Sequence, residues 1–442
     1  MTSLRILFVT PYIPSPLRVR PYHLIRELTR RNHRVTVAAL CTPEEEDAAV
    51  ALRTECERVE TLPLHRPRAL WHCIRQRPWG IPLQALYTQS SAMERLIQAE
   101  LYGVRGGAVE PCRYDLVHVE HLRAARFGLL ACGLPRVYDA VDCISRLLEH
   151  TAALAASRLV RSVARIDLQR TRRLEARLIG EFDRTLVASD ADGRALGELA
   201  TQWRHGRDLR ASPSHARGGP PITVLANGVD LQCFRPADTA REPATLVFVG
   251  RMSYHANITA ILRFTREVMP LIWAQRPDTR LLLVGAAPAR AVRRLARVHG
   301  SRVVVTGYVP DTRPFLARAT VSVSPLVYAV GTQNKILQAM AMGTPVVATP
   351  PGCDALQVQP GRDLLVADDA AQFAHHVVRL FDDAALRRWL AENGRRYVDT
   401  HHDWHVAGTQ LEAIYGETIA RRCVRTDPAW RPMARRAGGG IS

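Results

Sequence analysis

The stretch RILFVTPYIPSPLRVRPYHLIRELTRRNHRVTVAAL, residues 5–40, decides the fold class. Residues 5–10 and residues 33–40 are compact apolar runs, and residues 20–31 between them carry apolar side chains at helical spacing. Runs of this length favour buried strands, and a period of three to four residues favours an amphipathic helix. Strand, helix and strand in this order predict the crossover unit of a parallel sheet.

The same alternation continues along the chain. An irregular, proline-containing linker at residues 234–243 divides it into two series. The fold class is therefore α/β, with two facing Rossmann-like domains that carry parallel sheets. Such sheets bind ligands beyond the carboxyl ends of their strands, so the cleft between the domains is the predicted site. The further strands are predicted at residues 115–122, 135–142, 182–189, 221–230, 245–250, 280–285, 301–309, 320–325 and 344–349, with a helix over 144–180.

Four segments are predicted from this pattern. They are an N-terminal domain over residues 1–235, a C-terminal domain over 244–395, a helical segment over 396–425 that packs back on the N-terminal domain, and a tail over 426–442. The tail carries Pro, Gly and Arg with little periodicity, which is typical of disorder.

Composition and length are those of a two-domain globular protein. The chain has 442 residues, of which 47% are hydrophobic and 23% charged, which is too long for one compact core. No apolar run reaches the length of a membrane span, and the short apolar stretch near the N-terminus is too brief for a signal peptide. Nine Cys are scattered without a CxxC pair. They favour free thiols in the cytoplasm and give no sign of a metal site.

The chain is strongly basic. Its formal net charge is +18, and Lys335 is the single Lys among 60 basic residues. Such a charge favours anionic partners, among them nucleotide phosphates, nucleic acid and an acidic membrane surface. The sequence carries no aromatic RNA-binding strand, zinc finger or basic zipper, so no nucleic-acid partner is expected. An Arg-rich genome is the alternative explanation for the charge.

The lone Lys lies in GTQNKILQAMAMG, residues 331–343. Helix signals bracket this stretch, and it follows a predicted strand closely, so its N-terminal end should face the cleft. A helix N-terminus offers free N–H groups to a phosphate, Gly331 allows close approach, and an ammonium one turn later can reach the same anion. The alternative is an ordinary surface Lys.

A second candidate site lies in YDLVHVEHL, residues 114–122. It places His118, Glu120 and His121 at the carboxyl end of a predicted strand. These side chains are candidates for orienting an acceptor hydroxyl or for acid–base catalysis. The alternative for His118 is an interior residue whose hydrogen bonds are satisfied.

The segment of residues 157–180 mixes Arg with apolar residues at helical spacing. One interpretation is a basic amphipathic surface that docks on an anionic inner leaflet. The other is a core-packed helix with a solvated Arg face. The residues concerned are Arg158, Arg161, Arg165, Arg172 and Arg173, with Leu159, Val163, Ile166, Leu174 and Leu178 between them.

Over residues 4–420 the chain resembles the family 4 retaining glycosyltransferases, which have the GT-B fold. The resemblance rests on the order and spacing of several short motifs rather than on any one of them. They are ANGVD at 226–230, FVGR at 248–251, VTGYV at 305–309, NKILQAMAMGTPVVAT at 334–349 and HHDWH at 401–405.

The resemblance implies transfer of a sugar, with retained anomeric configuration, from a nucleotide-diphosphate sugar to a glycan, lipid-linked or small-molecule acceptor. It implies no metal and no cofactor, because protein cations and helix N-termini stabilise the leaving diphosphate. The acceptor belongs to the N-terminal domain, and Arg18 and Arg20 of its first loop are expected to face the diphosphate. The donor site implied in the C-terminal domain comprises Gly250, Arg251, Tyr308, Gly331, Thr332, Asn334, Lys335 and Gln338.

The chain also departs from the family pattern. Val330 and Gln338 stand where the family carries two Glu, and Ala256 stands near the position of a family Lys. Gln338 can still accept a hydrogen bond from a ribose hydroxyl, but without charge assistance. Two alternatives to the transferase are therefore a degenerate, non-catalytic binding protein and a nucleotide-sugar epimerase.

Overall fold

A computed structural model describes residues 3–75, 80–102, 104–105, 108–109, 113–155, 157–205 and 221–426. Apart from residue 426, the predicted tail lies outside the described residues.

The chain before the linker alternates strands and helices. In order they are β1 (Arg5–Thr10), α1 (Val19–Arg30), β2 (Arg34–Cys41), α2 (Glu46–Arg53), β3 (Arg58–Pro63), α3 (Arg66–Arg75), α4 (Leu83–Tyr87), α5 (Ser91–Tyr102), β4 (Val104–Arg105), β5 (Ala108–Val109), β6 (Leu116–Glu120), α6 (His121–Gly128), β7 (Arg136–Val141), α7 (Ile144–Leu154), α8 (Arg158–Glu181), β8 (Arg184–Val187), α9 (Asp190–His205) and β9 (Ile222–Val224).

The chain after the linker repeats the alternation. In order the elements are β10 (Glu242–Val249), α10 (His255–Glu267), α11 (Met269–Gln275), β11 (Arg280–Val284), α12 (Arg290–His299), β12 (Val303–Gly307), α13 (Arg313–Arg318), β13 (Ala319–Ser324), α14 (Asn334–Ala341), β14 (Val346–Ala348), α15 (Pro350–Cys353), β15 (Leu365–Val366), α16 (Ala370–Asp382), α17 (Ala384–His401) and α18 (Trp404–Thr426).

Apart from β4 and β5, which pair with each other in an antiparallel arrangement, these strands form two parallel sheets. The first has the order β3-β2-β1-β6-β7-β8-β9, and the second has the order β12-β11-β10-β13-β14-β15. The central strands are buried on both faces, as in Ile6 to Val9 of β1 and Leu246 to Phe248 of β10. Burial on both faces explains why these strands are continuous apolar runs. The predicted α/β class with two parallel-sheet domains is confirmed.

Some elements differ from the prediction. The edge strands β3 and β15 were not expected, because β3 is only partly buried and β15 is only two residues long. The helix predicted over residues 144–180 is two helices, α7 and α8. The backbone is extended at Ala155, and Ser157 then caps α8 by accepting a hydrogen bond from the N–H of Val160.

The last helix, α18, packs on the first sheet although it follows the second in sequence. Trp404, Leu411 and Tyr415 belong to the same buried cluster as Ile6 and Phe8 of β1. The hydroxyl of Tyr415 also lies 2.8 Å from Nδ1 of His118 on β6. The end of the chain therefore ties the second domain back to the first.

None of the helices in the described residues is both long and apolar enough to span a membrane.

We predict that Gly228→Ala lowers the free energy of unfolding by about 2 kcal/mol, as expected for overpacking. A Cβ at Gly228 would lie 2.7 Å from the indole of Trp404 and 2.9 Å from its backbone nitrogen, so the first turn of α18 would have to move. Urea unfolding measures the change. Gly133→Ala is the matched control, because a Cβ there meets no atom within 4 Å. Equal stability of the two variants would contradict this account of how α18 is held.

Candidate functional site

The two domains meet where the carboxyl ends of their strands face each other. Gly331, which precedes α14, lies so close to the carboxylate of Asp142 that a Cβ at this position would overlap it. The hydroxyl of Thr332 donates a hydrogen bond to the carbonyl of Ala188 over 3.4 Å. Asp142 and Ala188 directly follow β7 and β8, so the interdomain contact lies at the edge where parallel sheets bind ligands.

Lys335, in the first turn of α14, points into the second domain's side of this region. Its Nζ donates to Oδ1 of Asn257 over 2.7 Å and lies 4.6 Å from the ring centroid of Phe248. Burial lowers the pKa of Lys335 to about 7. The structure therefore places this ammonium beside a neutral amide and an aromatic face, where an anionic ligand would favour its charged form.

Asn257 connects Lys335 to the loop that carries Arg251. Its Nδ2 donates to the carbonyl of Arg251 over 2.9 Å, while its Oδ1 accepts from Lys335. A Cβ at Gly250 would lie 2.8 Å from the same Nδ2, so Gly250 leaves room for this side chain. The side chain of Arg251 itself is exposed. Asn257 thus brings Gly250, Arg251 and Lys335 together. Asn257, one position after Ala256, was not among the site residues predicted from the sequence.

The start of α14 differs from the prediction. The helix begins at Asn334, after Gln333 in an extended conformation, and Gly331 has a positive φ of 66°. Gly331 and Thr332 therefore lie in the turn before the helix, against the first domain. Oδ1 of Asn334 is buried and has no hydrogen-bond partner among the described residues.

The two remaining predicted donor residues differ in exposure. Gln338 lies one turn further along α14 and is half-buried. Tyr308, just after β12, is 69% exposed.

On the first domain, Glu120 ends β6 and is buried. Its Oε1 accepts a hydrogen bond from the hydroxyl of Tyr12 over 2.9 Å, and its Oε2 has no partner among the described residues. Burial, and then the nearby charge of Asp139, raises the pKa of Glu120 to about 8. The carboxyl group is therefore mostly neutral at pH 7 and able to donate a hydrogen bond.

His121 begins α6 in a left-handed conformation with φ of 68°, which is uncommon for a residue with a side chain. Its Nδ1 lies 3.2 Å from the backbone nitrogen of Arg123, which donates to it. Burial, and then the charge of Arg123, lowers the pKa of His121 to about 3. The imidazole is neutral at pH 7.

His118 lies in the interior of the first domain. Its ring stacks on Phe8 at 4.1 Å, and its Nδ1 pairs with the hydroxyl of Tyr415. Burial lowers the pKa of His118 to about 4. The structure thus places His118 in the interior beneath α18, whereas Glu120 and His121 lie at the carboxyl end of the strand. The interior position agrees with the alternative interpretation, but Nε2 of His118 has no hydrogen-bond partner among the described residues.

Arg20 was expected in a phosphate-binding loop, but it is buried within the first domain. Its guanidinium binds both oxygens of Asp139 at 2.8 and 3.1 Å, and it also donates to the carbonyl of Leu225 and to Oδ1 of Asn227. With these partners, Arg20 belongs to the interior of the first domain and not to a phosphate-binding loop. Arg18 differs, because it lies over the ring of Tyr12 and is only half-buried.

Within the described residues, no three His, Cys, Asp or Glu side chains come together in a way that could hold a metal ion.

Part of the chain matches a known protein family. The family model described as glycosyl transferases group 1 matches residues 243–383. A GDP-mannose-dependent monoacylated alpha-(1-6)-phosphatidylinositol monomannoside mannosyltransferase of Corynebacterium glutamicum is 28% identical over 224 residues, which are 47% of this chain and 59% of that protein. D-inositol 3-phosphate glycosyltransferase 2 of Catenulispora acidiphila is 28% identical over 342 residues, 70% of this chain and 72% of that protein.

Solved structures resemble the whole architecture. Sucrose-phosphate synthase from Thermosynechococcus elongatus matches with a TM-score of 0.66 at 18% identity, over 94% of this chain and 100% of that chain. Anabaena Alr3699/HepE in complex with UDP-glucose matches with a TM-score of 0.62 at 15% identity, over 94% of this chain and 100% of that chain. At this level of identity, both likenesses concern the fold.

We predict that Glu120→Gln becomes more stable relative to wild type as the pH rises. The folded-state pKa of Glu120, about 8, lies above its ordinary value of 4.5. Its contribution to stability is therefore fully present below pH 4.5 and is lost as the pH rises to 8. The loss amounts to about 1.4 kcal/mol for each unit by which the pKa is raised, and the neutral amide of the variant avoids it.

Urea unfolding at pH 4.5, 6 and 8.5 checks this prediction. Glu198→Gln is the control, because Glu198 is exposed. A stability difference between Glu120→Gln and wild type that stays constant with pH would show that Glu120 is charged in the folded protein.

Proposed function

We propose that this chain, a glycosyltransferase with the GT-B fold related to the group 1 family, transfers a sugar from a nucleotide-diphosphate donor to an acceptor hydroxyl. The comparisons confirm the resemblance to family 4 enzymes and the transferase function inferred from the sequence. The comparisons give no support to an epimerase or to a non-catalytic binding protein. Three further points are proposed: that the donor is a nucleotide sugar, that the reaction needs no metal ion, and which residues carry the reaction.

The observation that carries the proposal is the group formed by Arg251, Asn257 and Lys335. It joins the loop after β10 to the first turn of α14, at the carboxyl edge of the second sheet. An exposed guanidinium and a partly desolvated ammonium beside a helix N-terminus suit a diphosphate. The related mannosyltransferase is named as GDP-mannose-dependent, and HepE was solved with UDP-glucose. Both names support a nucleotide sugar as donor.

In the proposed mechanism, Arg251 and Lys335 stabilise the negative charge that develops on the leaving diphosphate. The acceptor oxygen bonds to the anomeric carbon on the face from which the diphosphate departs, and the departing phosphate takes the proton of the acceptor hydroxyl. The anomeric configuration is therefore retained without a protein nucleophile. Glu120, which is mostly neutral at pH 7, donates a hydrogen bond rather than acting as the general base. Gln338 and Asn334 line the donor side, with Gln338 accepting from the ribose.

The acceptor is proposed to bind the first domain, at the ends of β1 and β6. The related proteins are named for inositol 3-phosphate and for a phosphatidylinositol mannoside. They support an acceptor that is a small molecule, a lipid-linked molecule or a glycan. We place the reaction in the cytoplasm.

For a lipid-linked acceptor, we propose that the N-terminal half of α8 contacts the anionic inner face of a membrane. Leu159, Val163 and Ile166 recur at helical spacing and are 74%, 43% and 42% exposed. Arg158 and Arg165 flank this stripe and are also exposed. An exposed apolar stripe beside Arg residues is typical of helices that lie in an anionic lipid interface.

We predict that Lys335→Ala weakens binding of the cognate donor at least tenfold, corresponding to about 1.5 kcal/mol or more for a lost charged hydrogen bond. Lys335→Arg should restore only part, because Arg lacks the compact shape that fits between Asn257 and Phe248. A screen with UDP-glucose and GDP-mannose, followed by titration calorimetry and a transfer assay, tests this. Arg266→Ala on the exposed side of α10 is the control. Full affinity and turnover in Lys335→Ala would refute the role of the ammonium.

The same residue predicts a pH dependence of donor binding. In the protein without donor, burial lowers the pKa of Lys335 to about 7. A bound diphosphate favours the charged ammonium form. Binding at pH 8 should therefore take up protons, and affinity should fall as the pH rises above 7. Calorimetry in buffers of different ionisation enthalpy measures the proton uptake. Lys335→Arg should show neither effect, and proton uptake that persists in this variant would assign it to another group.

We predict that replacing Leu159 and Val163 together by Asn weakens sedimentation with phosphatidylglycerol-containing vesicles by about tenfold, because two apolar side chains no longer enter the lipid. Val298→Asn on α12 is the control, since Val298 is 63% exposed in the other domain. Equal sedimentation of wild type and the double variant would remove α8 from the membrane proposal.

A further inference from the structure

Tyr12 lies with Arg18 at the carboxyl edge of the first sheet. Cζ of Arg18 lies 4.3 Å from the centroid of the Tyr12 ring. Arg123 lies in the first turn of α6, which begins directly after Glu120, and the charges of Tyr12 and Arg18 act on its pKa. Tyr12 in turn donates to Glu120. These residues, which we call the Tyr12 cluster, comprise Tyr12, Arg18, Glu120, His121 and Arg123.

The Tyr12 cluster occupies the switch point of the sheet. Strand β1 lies between β2, which follows it in the chain, and β6, which pairs with it on the other side. The connections that leave β1 and β6 therefore run to opposite sides and open a crevice between them. Ligands of parallel sheets bind at such a crevice.

The two guanidinium groups of the cluster have few partners within the described residues. The guanidinium of Arg123 is half-buried, and its hydrogen bond is from Nε to Oε1 of Gln84 at 3.4 Å, with no carboxylate partner. Arg18 forms one long ion pair, with Glu45 at 4.0 Å. Burial, the largest effect, lowers the pKa of Arg123, and the charge of Arg18 acts in the same direction.

Arg20 is a cation of the same domain that has a structural role. It is buried against Asp139 in a two-point ion pair and has further acceptors from the backbone and Asn227. Buried charges normally have such partners, because removing an unpaired charge from water is costly. Neither Arg18 nor Arg123 has such a two-point pair among the described residues. Arg18 has the 4.0 Å ion pair with Glu45, and Arg123 has the hydrogen bond to Gln84.

We propose that Arg18 and Arg123 bind a phosphate group of the acceptor. The acceptor is then a phosphate monoester or diester that also bears the hydroxyl to which the sugar is transferred. Two guanidinium groups offer paired N–H donors that match phosphate oxygens. Tyr12 and the neutral carboxyl of Glu120 lie next to them and orient the rest of the acceptor. This inference rests on the proposed function, since it assigns the acceptor of the same reaction.

The test is a calorimetric titration of the full chain with inorganic phosphate and with glycerol phosphate, in the presence of saturating UDP or GDP to occupy the donor site. Both anions should bind, and glycerol should not. Arg123→Gln and Arg18→Gln should each weaken the binding by roughly tenfold or more. Arg126→Gln on the same helix should have no effect, because Arg126 points to Glu94 at 2.5 Å.

Lys335→Ala separates this inference from the proposed function. It should weaken nucleotide binding at least tenfold but, with UDP or GDP kept at saturating concentration, leave the binding of phosphate unchanged. Failure of UDP and GDP to bind wild type would count against the proposed function alone, and the phosphate titration would then be made without nucleotide. Phosphate binding that is lost in Lys335→Ala, or that persists in Arg123→Gln, would overturn the assignment to the Tyr12 cluster. So would the absence of any phosphate binding to wild type.

Folding of the variants is checked by thermal unfolding. Arg123→Lys provides a second variant that keeps the charge and should bind phosphate more tightly than Arg123→Gln.

The release of UDP or GDP from the nucleotide sugar, measured with different acceptors, distinguishes a water-soluble phosphate from a lipid headgroup. Stimulation by glycerol phosphate assigns a water-soluble acceptor, and stimulation by phosphatidic acid vesicles assigns a lipid headgroup. Equal stimulation by glycerol and glycerol phosphate would overturn the proposal.

Discussion

The hydrogen bond from Lys335 to Asn257 is the contact on which the second domain's site depends. It holds an ammonium beside a neutral amide rather than a carboxylate, so the positive charge stays available at the carboxyl edge of the sheet. The other half of the same amide holds the carbonyl of Arg251. One side chain thereby sets the position of a loop and of a helix start, and Gly250 leaves the space for it.

In the first domain, burial changes the charge of two acidic side chains. Burial raises the pKa of Glu120 to about 8 and that of Asp142 to about 7. These acids therefore lose much of their negative charge near pH 7. Arg20 is excluded from this balance, because Asp139 neutralises it. Burial and pairing, and not only the Arg content of the chain, thus set the charge on both sides of the cleft.

A buried polar network connects the linker to this site. Arg20 donates to Asn227, whose carbonyl pairs with His402 at the end of α17. The backbone of Val229 is hydrogen-bonded to the carbonyl of His402. The polypeptide thus enters the linker and returns from the second domain at one place, next to the strand that carries Asp139. This arrangement fixes the relative approach of the two sheets, which brings Gly331 against Asp142.

The sequence by itself determined the alternation of strands and helices, the two parallel sheets and the place of Lys335 at the start of a helix, because periodicity and apolar runs are local properties of the chain. The tertiary structure decided which side chains meet. Asn257 and Lys335 are 78 positions apart, and Arg20 and Asp139 are 119 apart. No local pattern distinguishes Arg20, which is neutralised in the interior, from Arg18, which is half-buried. That difference arises only when distant strands bring Asp139 to one guanidinium at 2.8 Å and leave the other with a 4.0 Å ion pair to Glu45.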